Sequence, residues 1–257
     1  VWGGRRGGVD RGCEAYCAEA GKISLLDVVG APDWGPRPGR LIHSRGPGRD
    51  MHRIADEAIE ARRARGAEGV PDLLDLLLEG EDPKTKRQMN TAEVRDNLLT
   101  FIVAGHETTA LTLAWALYLC AFDQDVQDKA RAEIADICDD GAITGDQAMQ
   151  LTYVRQIIHE TLRLYPPAGI ISRTAQTNDM LCAREIRPGD TVMIPISTLQ
   201  RNRLLWDDPD AFKPERFADR KAIDRYAYLP FGDGPRICIG ASFAIQEAVI
   251  VLATLLK

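Results

Sequence analysis

The sequence predicts a mainly α protein with a small β portion. Three helix-period runs, opened by capping residues or closed by glycine or proline, fill most of residues 90–164. One short strand pattern, Thr191–Ile196, follows a Pro188-Gly189 turn. The 257 residues are 45% hydrophobic and 27% charged, an ordinary balance for a globular chain with a packed core.

The opening stretch, Val1–Arg11, is rich in Gly and Arg without periodicity and offers no apolar face to a core. A helix is predicted over Arg49–Arg65, then a short apolar one over Pro71–Glu79, with the proline in its first turn and Gly80 at its exit. A charged loop, Glu81–Gln88, follows. Asn90 or Thr91 caps the next helix, and Asn90 has Glu93 three residues on, as in a capping box. That helix runs to about Phe122, roughly 45 Å at the α-helical rise. Asp125–Cys138 makes another, with Val126, Ala130, Ile134 and Ile137 on one face and Gly141 after it. A third ends at Leu164, before Pro166-Pro167. Asp207–Phe231, rich in Pro, Asp and aromatics, reads as irregular, and a last helix starts near Gly240. Apolar positions still recur in it at Lys257, and the first residue is Val rather than Met, so truncation at both ends is expected. The chain divides into residues 1–45, a partial N-terminal segment poorly ordered at its start, and 46–257, the helical portion of a single domain.

A net charge of -6 argues against nucleic acid as the main partner, since phosphate binding needs a basic face. The most apolar stretch, Leu98–Phe122, is interrupted by Gly105, His106 and Glu107, and reads as a buried core helix rather than a membrane span. The six cysteines are scattered and the N-terminus lacks a secretory pattern, which points to a reducing, intracellular and cytoplasmic setting. Cys13 and Cys17 sit one helical turn apart, but a zinc site would need two further ligands nearby.

The segment most suggestive of chemistry is Phe231–Gly240, FGDGPRICIG. Glycines at 232, 234 and 240 let the backbone pass close to a flat, bulky object that a Cβ would strike. Backbone N–H groups of the turn and the start of the following helix can stabilise a Cys238 thiolate, the form that ligates metal. Arg236, two residues away, carries a fork of donors suited to a carboxylate.

Ala104-Gly105-His106-Glu107-Thr108-Thr109 lies in the middle of the long helix. A mid-helix glycine costs about 1 kcal/mol against alanine, and a threonine hydroxyl can take over a backbone carbonyl, so local stability is sacrificed here. His106 and Glu107 differ by about 100° around the helix, so both cannot face one site; His106 and His159 read as satisfied surface or interhelix histidines. Glu160 and Arg163 are neighbours on one helix face, a commonplace pair by itself. Arg173 is a single cation after the apolar run Ile170-Ile171.

Taken together these segments resemble the cytochrome P450 family. Phe231, Gly232, Gly234, Arg236, Cys238 and Gly240 match its haem-binding loop; Glu160-Thr161-Leu162-Arg163 with Tyr165-Pro166-Pro167, and Pro214-Glu215-Arg216-Phe217, match its Glu-Arg-Arg network; Pro32-Asp33-Trp34 is a weaker match upstream. The resemblance implies a cytochrome P450 fold with residues 46–257 as its haem-binding portion. It implies heme b, iron protoporphyrin IX, with Cys238 as the thiolate ligand to iron, the metal-binding residue of the site. Phe231, Gly232, Arg236 and Gly240 would shape the cofactor loop, Ala104 and Gly105 the groove for dioxygen, and Arg173 a propionate contact. Glu107 would be the acid and Thr108 the alcohol that deliver protons. Arg216 joins Glu160 and Arg163 in a structural network holding the Cys loop.

The implied activity is an oxidoreductase, a haem-thiolate monooxygenase inserting one oxygen atom from O2 into a small, apolar organic substrate. Electrons would come from an NAD(P)H-linked partner, a flavoprotein reductase or a ferredoxin. Other readings share the thiolate loop: a peroxide isomerase, a haem sensor or electron carrier, and an inactive fragment of the enzyme. The acid and alcohol at 107 and 108 disfavour the isomerase and the carrier, which need no proton relay. A membrane anchor is compatible with the sequence only upstream of Val1.

Overall fold

The computed structural model describes residues 38–66 and 69–257. Cys13, Cys17 and Pro32-Asp33-Trp34 lie outside the described residues. Among the described residues the helices are α1 (Pro38–Arg65), α2 (Leu73–Glu79), α3 (Thr91–Phe122), α4 (Gln124–Ile137), α5 (Gly145–Gln150), α6 (Thr152–Leu164), α7 (Ile196–Leu199) and α8 (Ala241–Leu256). The strands are β1 (Ile171–Thr174), β2 (Asp179–Leu181), β3 (Arg184–Ile186) and β4 (Thr191–Ile194). Packing divides the chain into two units inside α3, between Ala104 and Gly105.

In the first unit Ala55 and Ile59 of α1, Leu74 of α2, and Val94 and Leu98 of α3 form a small core. Helix α1 begins at Pro38 rather than at the predicted Arg49, and carries Gly46-Pro47-Gly48 within it. Helix α2 starts two residues later than its proline suggests, because Asp72 and Asp75 build a capping box that outcompetes the proline signal. Arg62 of α1 reaches both carboxylates, at 2.8 Å to Asp72 and 2.6 Å to Asp75. Its guanidinium and the backbone donors of the cap hold Asp72 down at about 2. The box predicted at Asn90 is formed: the Glu93 N–H donates to Asn90 Oδ1 at 3.0 Å and the Asn90 N–H to Glu93 Oε2 at 2.9 Å.

The second unit is built on α6. Its face of Val154, Ile157, Ile158 and Leu162 packs with Val126, Ala130 and Ile134 of α4 and with Ile245, Val249 and Leu252 of α8. Helix α6 lacks a capping side chain at Leu151. Glu133 of α4 supplies one from outside, accepting from the N–H groups of Tyr153 at 2.8 Å and Val154 at 3.0 Å and from the Thr152 hydroxyl at 2.9 Å. A carboxylate there also meets the positive end of the helix dipole.

The β portion is two antiparallel pairs, β1 with β4 in the register Ile171↔Ile194 and β2 with β3 in the register Asp179↔Ile186. The strand predicted over Thr191–Ile196 ends at Ile194, and Ile196 begins α7. The β2–β3 turn places Cys182 and Ala183 at φ +49° and +61°. Between α7 and α8 there are only short 3-10 turns, at Pro214–Phe217, Arg220–Ala222 and Gly234–Arg236, in keeping with the irregular reading of Asp207–Phe231.

Candidate functional site

An ion network lies at the end of α6. Arg163 and Glu160 are both fully buried and joined twice, Nε to Oε2 and Nη2 to Oε1, each at 2.7 Å. The remaining guanidinium donors go to the carbonyls of Gln200 at 3.0 Å, Pro209 at 2.7 Å and Ala211 at 3.1 Å. Glu160 Oε1 also accepts the Lys213 N–H at 3.0 Å. The Trp206 ring lies 5.0 Å from the Arg163 guanidinium carbon. A buried charge pair is tolerated only when its leftover donors and acceptors find partners, and here backbone supplies them. Arg216 stands 3.3 Å from Glu160 Oε1 through Nε and donates to the Asp208 carbonyl at 2.7 Å. The three charged side chains are thus brought together, and what they hold is the meander 200–216.

Next to this network, α6 carries His159, which is buried. Its Nδ1 is 3.0 Å from the Tyr228 hydroxyl, which donates to the His159 carbonyl at 3.1 Å, while Arg220 Nη1 approaches Nε2 at 3.4 Å. With the hydroxyl proton committed to the carbonyl, Nδ1 is the nitrogen that donates. Burial, helped by Arg220 and Arg155, pushes this imidazole down to about 3, so it is neutral. The interhelix alternative for His159 fits; the surface one does not. His106 is exposed on α3.

The loop Phe231–Gly240 follows. Gly232 and Gly234 adopt φ +72° and +75°, conformations side chains resist. The Cys238 N–H donates to the Phe231 carbonyl at 2.9 Å, the Ile237 N–H to Gly234 at 3.1 Å and the Gly232 N–H to Leu229 at 3.0 Å, so the loop closes on itself. Cys238 is a free, exposed thiol, and a Cβ on Gly240 would lie 3.9 Å from its Sγ. Ile237, Ile239 and Phe243 are 54%, 86% and 71% exposed. Apolar side chains beside a bare thiol form a surface suited to a flat apolar group that ligates through sulfur. Among the described residues no group of three or more His, Cys, Asp and Glu side chains converges as a metal site. A lone thiolate suits a metal whose other ligands come from a macrocycle, so these residues fit a haem.

Arg173 lies on β1, exposed, with Nη1 donating to the Ser172 carbonyl at 2.8 Å. The Cys loop adjoins this strand, since a Cβ on Gly232 would sit 3.4 Å from Ile171 Cδ1. Arg236 is exposed as well, and among the described residues neither arginine forms an ion pair, leaving both open to carboxylates. On α3, Ala104, Gly105, Glu107 and Thr108 are exposed while Thr109 and Thr112 are buried. A Cβ on Gly105 would meet nothing within 4 Å. The Thr112 hydroxyl donates to the Thr108 carbonyl at 2.9 Å, the back-bonding that threonine offers a helix.

Gln200 was not legible as a functional residue. It is fully buried, donates from Nε2 to the carbonyls of Leu162 at 2.9 Å and Arg163 at 3.0 Å, and accepts the Leu229 N–H at 2.9 Å. An amide in a loop carries no sequence signal for such a bridge.

A family model for cytochrome P450 matches residues 46–257. The chain is 38% identical over 209 residues to a bifunctional cytochrome P450/NADPH–P450 reductase 2 of Bacillus subtilis, covering 80% of this chain and 20% of that protein. It is 38% identical over 222 residues to a cyclooctat-9-en-7-ol 5-monooxygenase of Streptomyces melanosporofaciens, covering 86% of this chain and 48% of that one. A cytokinin hydroxylase of Arabidopsis thaliana is 37% identical over 215 residues, 81% of this chain and 42% of its own length. The chain therefore spans between about a fifth and about half the length of these relatives. With a closed glycine-rich loop presenting one exposed thiol, a buried Glu-Arg pair at the end of α6, and a family match over most of its residues, this chain belongs to the cytochrome P450 family.

Proposed function

We propose that the protein is a haem-thiolate monooxygenase, and the observation that carries this is the exposed Cys238 thiol in its apolar, glycine-cleared loop. When bound, heme b supplies the electron storage and dioxygen chemistry that no side chain has. Residues 46–257 are the portion that holds it, with the Cys238 thiolate as metal ligand, Phe231, Gly232 and Gly240 shaping the seat, and Arg173 and Arg236 meeting the propionates. Ala104 and Gly105 leave room on α3 for dioxygen, and Glu107 with Thr108 carries protons toward it. Glu160, Arg163 and Arg216 touch no reactant and hold the meander.

In the overall reaction a substrate C–H bond is replaced by C–OH. The second oxygen atom leaves as water, and two electrons from NAD(P)H arrive through a flavoprotein reductase or ferredoxin together with two protons. The fused P450 and reductase named in the Bacillus relative supports such an electron source, and the names monooxygenase and hydroxylase support the reaction class. The substrate of this reading is a small apolar organic molecule, as the family resemblance implies. Among the described residues no helix is long and apolar enough to cross a membrane. The free thiols Cys120, Cys138, Cys182 and Cys238 support an intracellular site of action.

The test is oxygenation under labelled dioxygen by the full-length gene product with a competent reductase and an accepted substrate. One labelled atom in the product is expected, with the other in water. A product labelled only from water, or rearranged without any NAD(P)H requirement, would overturn the monooxygenase reading.

A further inference from the structure

We propose that Gln200 is a positioning residue for Cys238, tying the thiolate loop to the buried end of α6. This rests on the reading of Cys238 as the haem ligand. The side-chain amide of Gln200 uses both of its ends. Nε2 donates to the Leu162 and Arg163 carbonyls, which α6 leaves without helical partners because the chain turns away at Tyr165. Oε1 accepts the Leu229 N–H at 2.9 Å. From Leu229 the bonding continues without a gap: its carbonyl accepts the Gly232 N–H at 3.0 Å, and the Phe231 carbonyl accepts the N–H of Cys238 itself at 2.9 Å. Gln200 is wholly buried, and its own carbonyl accepts Arg163 Nη1 at 3.0 Å, so it is fixed at backbone and side chain alike.

The neighbouring Tyr228 provides an independent second anchor, through its hydroxyl to His159. Two adjacent residues at the entrance to the Cys loop are thus fastened to one helix, Tyr228 by its side chain and Leu229 by its backbone N–H through Gln200. A side chain that acted merely as filler would be replaceable by one of equal shape. Gln200 is not, because the donor and acceptor are on opposite sides of the same planar group and serve two chain segments. Groups that orient a metal ligand from outside usually contribute about 10- to 100-fold to retention of the metal.

The experiment compares wild type, Q200M and Q200N in the full-length haem-loaded protein. Methionine keeps the length and removes both hydrogen-bonding ends; asparagine keeps the amide and is too short to span. Haem transfer to an acceptor apoglobin is expected to be about 10- to 100-fold faster in either variant. The ferrous-CO spectrum should move from the thiolate band toward the neutral-thiol band, which a general loss of stability with intact ligation would not produce. Wild-type transfer rates and spectra in whichever variant folds would overturn the proposal. In wild type alone, the Leu229 amide is expected to exchange hydrogen as slowly as the amides of α6, and rapid exchange would overturn it without any variant. If wild type itself lacks the thiolate band, the haem-ligand reading of Cys238 fails, a result separate from the comparison among Gln200 variants.

Discussion

Arg163 and Glu160 meet through two hydrogen bonds of 2.7 Å each, with neither side chain reached by solvent, and the arginine spends its other donors on three backbone carbonyls of the meander. Removing either partner leaves a buried charge without compensation, which costs about 3 to 5 kcal/mol. Arg163→Ala and Glu160→Ala are therefore expected to lower the denaturant midpoint sharply and to yield protein without haem. Normal haem content in both variants would reduce the pair to an ordinary helix contact.

Glu133 offers a milder case, because it caps α6 from a neighbouring helix. Glu133→Ala is expected to destabilise the fold by about 0.5 to 2 kcal/mol, the range for a lost N-cap. Chemical denaturation checks this, and an unchanged midpoint would mean that water caps α6 equally well.

The neutral, buried His159 gives a pH dependence with a definite sign. Its proton affinity is pushed from the ordinary 6.5 to about 3, so between those values the unfolded chain binds a proton that the folded one refuses. Stability contributed here is present above pH 6.5 and declines as pH falls toward 3, by at most about 1.4 kcal/mol per pH unit. Unfolding of wild type and His159→Gln, measured at neutral and mildly acidic pH, should show the steeper loss in wild type. Parallel losses would contradict a buried neutral ring.

Much of this arrangement was legible in the sequence, and the part that was not has a common physical cause. Local chemistry announced the Asn90–Glu93 box, the stop of α6 before its prolines, and the glycines of the Cys loop. The Glu160–Arg163 spacing showed two neighbours on a helix, but their burial depends on carbonyls 37 to 48 residues away. Gln200 and Glu133 owe their roles wholly to such long-range partners, and no local pattern marks them. The β2–β3 hairpin went unseen because Cys182 and Ala183 occupy left-handed positions where Asn-Gly would be the usual signal.

For Thr108 the expected effect is on coupling. It holds neither the iron ligand nor the buried network, so Thr108→Ala should leave haem binding and the CO spectrum intact. NAD(P)H consumption should continue while product falls and hydrogen peroxide rises. Proton-transfer groups contribute about 10²- to 10⁴-fold, and since water can replace a hydroxyl in part, a loss near the lower end is expected. Unchanged coupling would remove Thr108 from the proposed relay while leaving the Cys loop as described.

The most direct test of the whole reading is the absorption spectrum of the ferrous-CO adduct of the full-length protein, wild type against Cys238→Ser. A serine hydroxyl stays protonated at neutral pH and is a much harder ligand than thiolate. The strongly red-shifted thiolate band is expected in wild type and should vanish in the variant. A thiolate band that persists in Cys238→Ser would show that another residue ligates the iron and would contradict the site assigned here.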